Sequence, residues 1–378
     1  MKLIQHFEKV YIDQASLESA VARRLIDLFP ADKIQILEKP AWPERAGMMT
    51  PEQFNQSKKT LFVTPFKGQF FKRCPGATQK KVLSCCNYHV LNLGAQCNMN
   101  CSYCYLQSYL NSPVTKIYSN LDQALLELKD MADKNPDAPF RVGTGEVIDS
   151  LSLDPLSLYS RQLIAFFKNY PRWTLEFKTK SAEVDQFLDV SHAGNIVVSW
   201  SINPSLVINR EEHGTARFEE RMVAARKCVD AGFQIAFHID PMIWHPEWKE
   251  SYAELACEIA TAFTPQEVNV ISVGALRFQP EQKAMMRERF GMQSLVTNAE
   301  MFMSEGGKMR YDLSLRQEMF QFMVSQLKSH NAAFRIFLCM ETPESWISSF
   351  EAHPMQVEGL KDLFRPLQKL PENISLPV

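Results

Sequence analysis

From about residue 86 to 285 the chain alternates apolar, β-rich runs with stretches of helical periodicity, and this alternation limits the fold more than any other feature. The candidate strands are 88–94, 140–146, 173–180, 196–203, 233–240 and 268–278, with helix-like segments near 120–134, 156–169, 181–190, 214–231 and 247–263. The segment before the fifth strand shows the pattern: Phe218, Met222, Ala225 and Val229 recur at helical spacing, and Gly232 supplies a C-terminal stop. Strands joined through helices run parallel. Six such units predict an α/β fold, a partial (β/α)6 TIM-like barrel, in which chemistry gathers at the C-terminal ends of the strands. Those ends carry a cysteine loop after strand one, Gly145-Glu146 after two, Lys180 after three, Ser201 and Asn203 after four, and His238 and Asp240 after five. Five polar strand ends on one face are hard to explain as core filling.

Residues 1–85 read as an N-terminal α/β extension, with a helix over 14–28, a strand KIQILEK and a basic segment. Residues 86–285 form the barrel. From 286 to 378 helices dominate, one of them near 312–330, followed by a strand at 334–340. At 46% hydrophobic and 22% charged residues, the chain can bury a large core without disulfides. The opening MKLIQHFEKVYIDQ has no apolar signal-like region and no long apolar run follows, so a soluble protein that is not exported is expected, with no membrane partner. Nine cysteines suit a reducing cytoplasm.

The cysteine loop is the most chemically specific element. Cys97, Cys101 and Cys104 have C-x3-C-x2-C spacing, with Tyr103 directly before the last cysteine. Three thiolates hold three irons of a 4Fe–4S cubane, and with no fourth cysteine nearby one iron is left open for a small molecule. The plain alternative, a structural zinc site, needs four ligands. His89 is the nearest imidazole, but it lies in an apolar strand-like run, and Met99 is a poor zinc ligand.

This spacing resembles the radical S-adenosylmethionine (SAM) enzymes. Further strings narrow the resemblance: Cys104-Tyr-Leu-Gln107, Tyr118-Ser-Asn-Leu-Asp122, Phe177-Lys-Thr-Lys180, Trp200-Ser-Ile-Asn203, Ala224-Ala-Arg-Lys227 and Pro241-Met-Ile-Trp-His-Pro-Glu-Trp248 are similar to the spore photoproduct lyase family over about 90–280. The resemblance implies a radical SAM lyase acting on DNA photolesions. In it a 5′-deoxyadenosyl radical is generated at the cluster, and a flavodoxin or ferredoxin type reductant supplies the electron. It implies that Cys97, Cys101 and Cys104 are cluster ligands and that Lys180, Ser201 and Asn203 hold SAM. Glu146, in Gly143-Thr-Gly-Glu146, resembles the element that receives the SAM amino group, and Tyr103 and Tyr105 match a tyrosine pair near the substrate radical. Radical modification of RNA, a peptide or a small molecule, and a non-catalytic metal-stabilised nucleic-acid binder, are the alternatives.

Two departures follow. The family's lyases return a hydrogen atom from a cysteine downstream of the cluster motif, whereas here Glu146 takes that position and no cysteine lies between Cys104 and Cys228. The chain also carries extra cysteines outside the resembling region. Cys74, Cys85, Cys86 and Cys339 form a candidate second iron–sulfur site joining the two extensions. The net charge of −2 gives no global attraction to nucleic acid. DNA contact would fall to Lys67, Lys72, Arg73, Lys80 and Lys81 with Phe66, Phe70 and Phe71, and to Lys308 and Arg310 with Tyr311.

Overall fold

The computed structural model describes residues 2–38, 49–74, 84, 86–110 and 112–364. Among these residues, eighteen strands fall into two large sheets and two small ladders. A five-stranded sheet is built from β1 (Lys9–Asp13), β2 (Ile34–Leu37), β3 (Thr60–Thr64), β6 (Gly94–Ala95) and β8 (Thr115–Tyr118), in the order β2-β1-β3-β8-β6. The eight-stranded sheet holds β4 (Phe71–Arg73), β5 (His89–Leu91), β9 (Arg141–Gly143), β10 (Thr174–Thr179), β11 (Ile196–Ser201), β13 (Gln234–Met242), β14 (Val268–Ala275) and β18 (Ile336–Leu338). Its order is β18-β14-β13-β11-β10-β9-β5-β4. All neighbours pair in parallel except β4 on β5. β7 (Asn100–Cys101) pairs with β12 (Glu212–His213), and β15 (Arg277–Phe278), β16 (Phe302–Met303) and β17 (Met309–Arg310) form a small antiparallel ladder.

The predicted partial barrel is present, a curled parallel half-barrel sheet. Each of the six candidate strands overlaps an observed one, and β13 runs two residues past its expected end, to Met242. β18, read as a strand of the C-terminal region, lies beside β14 as a further parallel strand of the same sheet. Central β11 is buried along its whole length, as a strand covered on both faces must be. Helices at Leu121–Lys134, Tyr159–Phe167, Phe218–Asp230 and Trp248–Ala262 fall where helical periodicity placed them. One segment does not. Residues 181–190 form turns instead of a helix, because the backbone N–H of Ser181 donates to Thr179 Oγ1 (2.9 Å) and that of Glu183 to Ser181 Oγ (3.2 Å). Such local hydroxyl bonds compete with the helical ladder.

β6 and β8 flank the cysteine loop and belong to the five-stranded sheet, pairing Gly94 with Ile117 and Ala95 with Lys116. The loop therefore emerges where the N-terminal sheet meets the barrel.

Candidate active site

The cysteine loop is held from three directions. Cys101 stands opposite Glu212 in the β7–β12 pair, and the Ser102 N–H donates to the Glu211 carbonyl (2.8 Å). The Gln282 side-chain amide, on the helix Gln282–Phe290, donates to the carbonyls of Tyr103 (3.2 Å) and Cys104 (3.1 Å). From the N-terminal side, Lys58 Nζ donates to the Cys97 carbonyl (2.8 Å). Cys97 and Cys101 are buried and Cys104 is partly exposed. Burial pushes the Cys97 thiol up to about 11 and raises Cys101 further, so neither thiol ionises readily without a cation beside it. Metal binding removes that proton.

Three cations surround the loop. Lys58 is 3% exposed, lies within electrostatic range of all three cysteines and rests on the Phe54 ring, 4.5 Å from its centroid. Arg289 lies 4.5 Å from the same centroid and 4.7 Å from that of Phe290, and it donates to Gln107, Asn55 and Asn100. Lys180 Nζ is 5.6 Å from the Tyr103 ring centroid, and its charge acts on Cys101. Lys72 and Arg221 have carboxylate partners, at 3.2 Å from Glu146 and 2.6 Å from Glu212. Lys58, Lys180 and Arg289 have no such partner among the described residues. Arg289 Nε is buried without a hydrogen-bond acceptor, beside Cys101 and Cys104. Three thiols, two of them buried, beside cations that lack an ion-paired carboxylate and an orphaned N–H fit an anionic iron–sulfur centre. Among the described residues no three His, Cys, Asp or Glu side chains converge on a single metal ion.

The other predicted positions surround this loop. Tyr103 is buried and donates its hydroxyl to Glu212. Glu212 also receives Asn203 Nδ2 (3.2 Å), and Asn203 Oδ1 accepts from Tyr252 (2.8 Å), so Asn203 sits inside a satisfied network. Ser201 is buried, and its carbonyl receives Arg221 Nη1 (2.8 Å). Tyr105, 43% exposed, donates its hydroxyl to the Glu146 carbonyl. The Glu146 carboxylate takes Asn92 Nδ2 (3.0 Å) in addition to Lys72. Asp149, which the sequence did not single out, organises this corner: it accepts from the N–H groups of Leu151, Ser152 and Lys180 and from the Thr179 hydroxyl. It thereby fixes the strand end that carries Lys180.

Deeper in the barrel, His238 bridges Glu176 (2.6 Å) and Ser272 (2.5 Å), and Asp240 takes a two-pronged bond from Arg277 (2.8 and 3.0 Å). These partners hold both carboxyls well below the usual carboxylate range despite burial. A side chain at position 143 would meet the Tyr88 hydroxyl at 1.8 Å, so glycine there lets Tyr88 cross the end of β9.

Among the extra cysteines, Cys86 and Cys339 lie within electrostatic range of each other near the seventh parallel strand. The Cys74 backbone N–H donates to the carbonyl of Tyr88 (2.9 Å), on which Cys86 also acts, while Cys74 acts on Tyr105. Cys85 lies outside the described residues. The two basic clusters do not present their aromatic rings to a ligand. Phe70, Phe71 and Tyr311 are buried, Phe66 stacks on Tyr118 (4.4 Å), and Arg310 is paired with Glu341 (2.6 Å). Lys80 and Lys81 lie outside the described residues. The rings were apolar core, not interleaved surface.

Comparison with known proteins shows the family. The sequence model of the spore photoproduct lyase family matches residues 6–333. A spore photoproduct lyase of Geobacillus sp. (strain Y412MC61) is 26% identical over 74% of this chain and 82% of its own length. That of Bacillus subtilis (strain 168) is 28% identical over 68% of this chain and 74% of its own length. Among solved structures, a spore photoproduct lyase variant matches with a TM-score of 0.76 at 23% identity, covering 88% of this chain and 99% of that one. In that variant one cysteine is replaced by alanine and one serine by cysteine, and AdoMet and a dinucleoside spore photoproduct are bound.

Proposed function

This chain belongs to the spore photoproduct lyase family, radical SAM enzymes of DNA photolesion repair, and from that premise we propose how its own residues run a carbon–carbon lyase reaction on damaged DNA. Cys97, Cys101 and Cys104 hold a 4Fe–4S cluster. Lys180, Ser201, Asn203 and Glu146 would hold SAM, the lysine suited to a carboxylate and Glu146 to an ammonium. When bound, this pair supplies one-electron chemistry that ends in abstraction of a hydrogen atom from the substrate.

The protein's part is to bind, to exclude water and to return hydrogen. A substrate radical left by carbon–carbon cleavage closes only by taking hydrogen from a weak X–H bond. The carboxyl O–H of Glu146 is too strong for this, and Glu146 is engaged with Lys72 and Asn92. Cys74 is the thiol that fits, because Tyr105 lies within electrostatic range of both Cys74 and Cys104. The Cys74 S–H bond would break homolytically as the substrate C–H bond forms. Tyr105, whose hydroxyl rests on the Glu146 carbonyl, would then give its hydrogen atom to sulfur, and the tyrosyl radical so left would be closed by one electron from the external donor and one proton. Tyr103, locked on Glu212, positions the loop that carries Cys101.

The observation that carries the proposal is two buried thiols and a partly exposed third, encircled by cations without an ion-paired carboxylate among the described residues. Its test is anaerobic reconstitution followed by incubation with dithionite, SAM and ultraviolet-irradiated DNA. Conversion of the methylene-bridged thymine dimer to two thymines is expected, and an unchanged lesion overturns the reading. A second cluster on Cys74, Cys85, Cys86 and Cys339 is the competing use of Cys74: roughly eight irons per chain would support it and take that thiol out of hydrogen return, and roughly four remove it. A cytoplasmic setting with a flavodoxin or ferredoxin type donor completes the proposal, supported by the nine cysteines. No helix among the described residues is long and apolar enough to cross a membrane.

A further inference from the structure

Lys58 and Arg289 come from opposite ends of the chain and meet on one ring. Lys58 caps the C-terminal end of helix Pro51–Ser57, and Arg289 lies in the last turn of helix Gln282–Phe290. Both stand 4.5 Å from the centroid of Phe54, itself fully buried. Two like charges on one buried ring repel each other, and each is partly stripped of water. Neither has a carboxylate partner among the described residues. Lys58 instead spends its hydrogen bonds on the Cys97 carbonyl and on Gln96 Oε1 (2.8 and 3.5 Å). Arg289 uses the neutral oxygens of Gln107, Asn55 and Asn100 and leaves Nε unbonded. Such an arrangement is unfavourable unless negative charge sits beside it, and the groups both cations face are the thiols of the cysteine loop.

We infer that Lys58 and Arg289 are positioning residues that raise the reduction potential of the iron–sulfur centre. The inference rests on the reading of Cys97, Cys101 and Cys104 as cluster ligands. Each electron added makes a thiolate-ligated cluster more negative, and fixed cations nearby favour that reduced form through Coulomb attraction. Their shallow hydration and their stacking on Phe54 keep solvent from screening the effect. Lys180 cannot replace them, because it belongs to the strand end assigned to the SAM carboxylate. The two residues set how readily an external donor can charge the cluster.

The experiment is an EPR-monitored redox titration of the full chain, reconstituted anaerobically, without DNA. Lys58→Gln keeps an N–H donor for the Cys97 carbonyl but removes the charge, and Lys58→Arg keeps both. Lys58→Gln is expected to lower the one-electron reduction equilibrium about tenfold, about 59 mV, with Lys58→Arg close to the parent. Arg289→Gln should shift it the same way, and Arg289→Lys should restore it. Roughly four irons per chain with an unchanged potential in both glutamine variants would overturn the inference and leave the cluster assignment intact. Loss of iron loading in both glutamine variants overturns it as well, since the pair would then be a structural clamp. Failure of the parent chain itself to take up iron strikes the cluster assignment instead.

Discussion

The barrel interior and the rim around the cysteine loop treat buried charge in opposite ways. In the interior the acids have partners: Glu176 faces His238, Asp240 faces Arg277, and Glu341 faces Arg310. At the rim, Lys58 and Arg289 are cations that no carboxylate answers among the described residues, and Lys180 acts on Glu212 only at a distance, without a direct ion pair. A charge pair completed within the polypeptide stabilises the fold and has little left to offer a ligand. A cation left without its counterpart marks the place where an anion belongs. Glu212 is the seam between the two, closed by Arg221 on one side and reaching Tyr103 and Cys101 on the other.

The sharpest way to break this contrast is at the thiols. Cys101→Ala should remove the cluster and all lyase turnover while the fold persists, read by the loss of visible absorbance beside an unchanged circular dichroism spectrum. Retained absorbance with full turnover would end the rim's role as a metal site. On the paired side, Arg221→Met strands the fully buried Glu212 carboxylate. It should cost about 3–5 kcal/mol of stability in denaturant unfolding. A cost below about 1 kcal/mol would show that the interior pairs do not hold the structure.

The third prediction concerns acid. His89 is sealed between Phe71 and Phe140, with ring centroids 5.2 and 4.9 Å away. Burial, aided by Arg73, pulls its pKa from 6.5 to about 4. The unfolded chain then takes up a proton that the folded one refuses. Stability is therefore full above about pH 6.5 and declines as the pH falls toward about 4, by about 3 kcal/mol from this residue. His89→Phe should flatten that part of the pH–stability curve, and an unchanged slope would assign the acid sensitivity to other groups. The smallest effect is expected at Cys74. Cys74→Ala should slow formation of intact thymine about tenfold, about 1.4 kcal/mol of barrier, and divert substrate to side products. Cys339→Ala, on the interior side, should leave the product pattern unchanged.

The barrel was legible because long strands buried on both faces read as apolar runs, with helical periodicity between them. The cysteine loop was legible because few chemistries need three thiols at that spacing. The rim was not. Lys58 stands in a Ser-Lys-Lys string that looks like ordinary surface, and Arg289 lies in Arg-Glu-Arg-Phe, with nothing local to mark its charge as buried. Their role arises from contacts over long separations: Arg289 reaches Asn55 across 234 positions. The strands β1, β3 and β8 were missed for a related reason. Each is short, and each pairs with a segment more than twenty positions away. The turn at 181–190 shows the converse, since its apolar spacing suits a helix but two hydroxyls capture the backbone first.

The Gln282 amide bonds to the carbonyls of Tyr103 and Cys104, the former across 179 positions, while Glu211 and Glu212 grip the loop's opposite edge. The loop proposed to hold the metal is therefore shaped only after three remote stretches of polypeptide have come together. A truncated chain ending before residue 282 would have the ligands yet hold their cargo loosely.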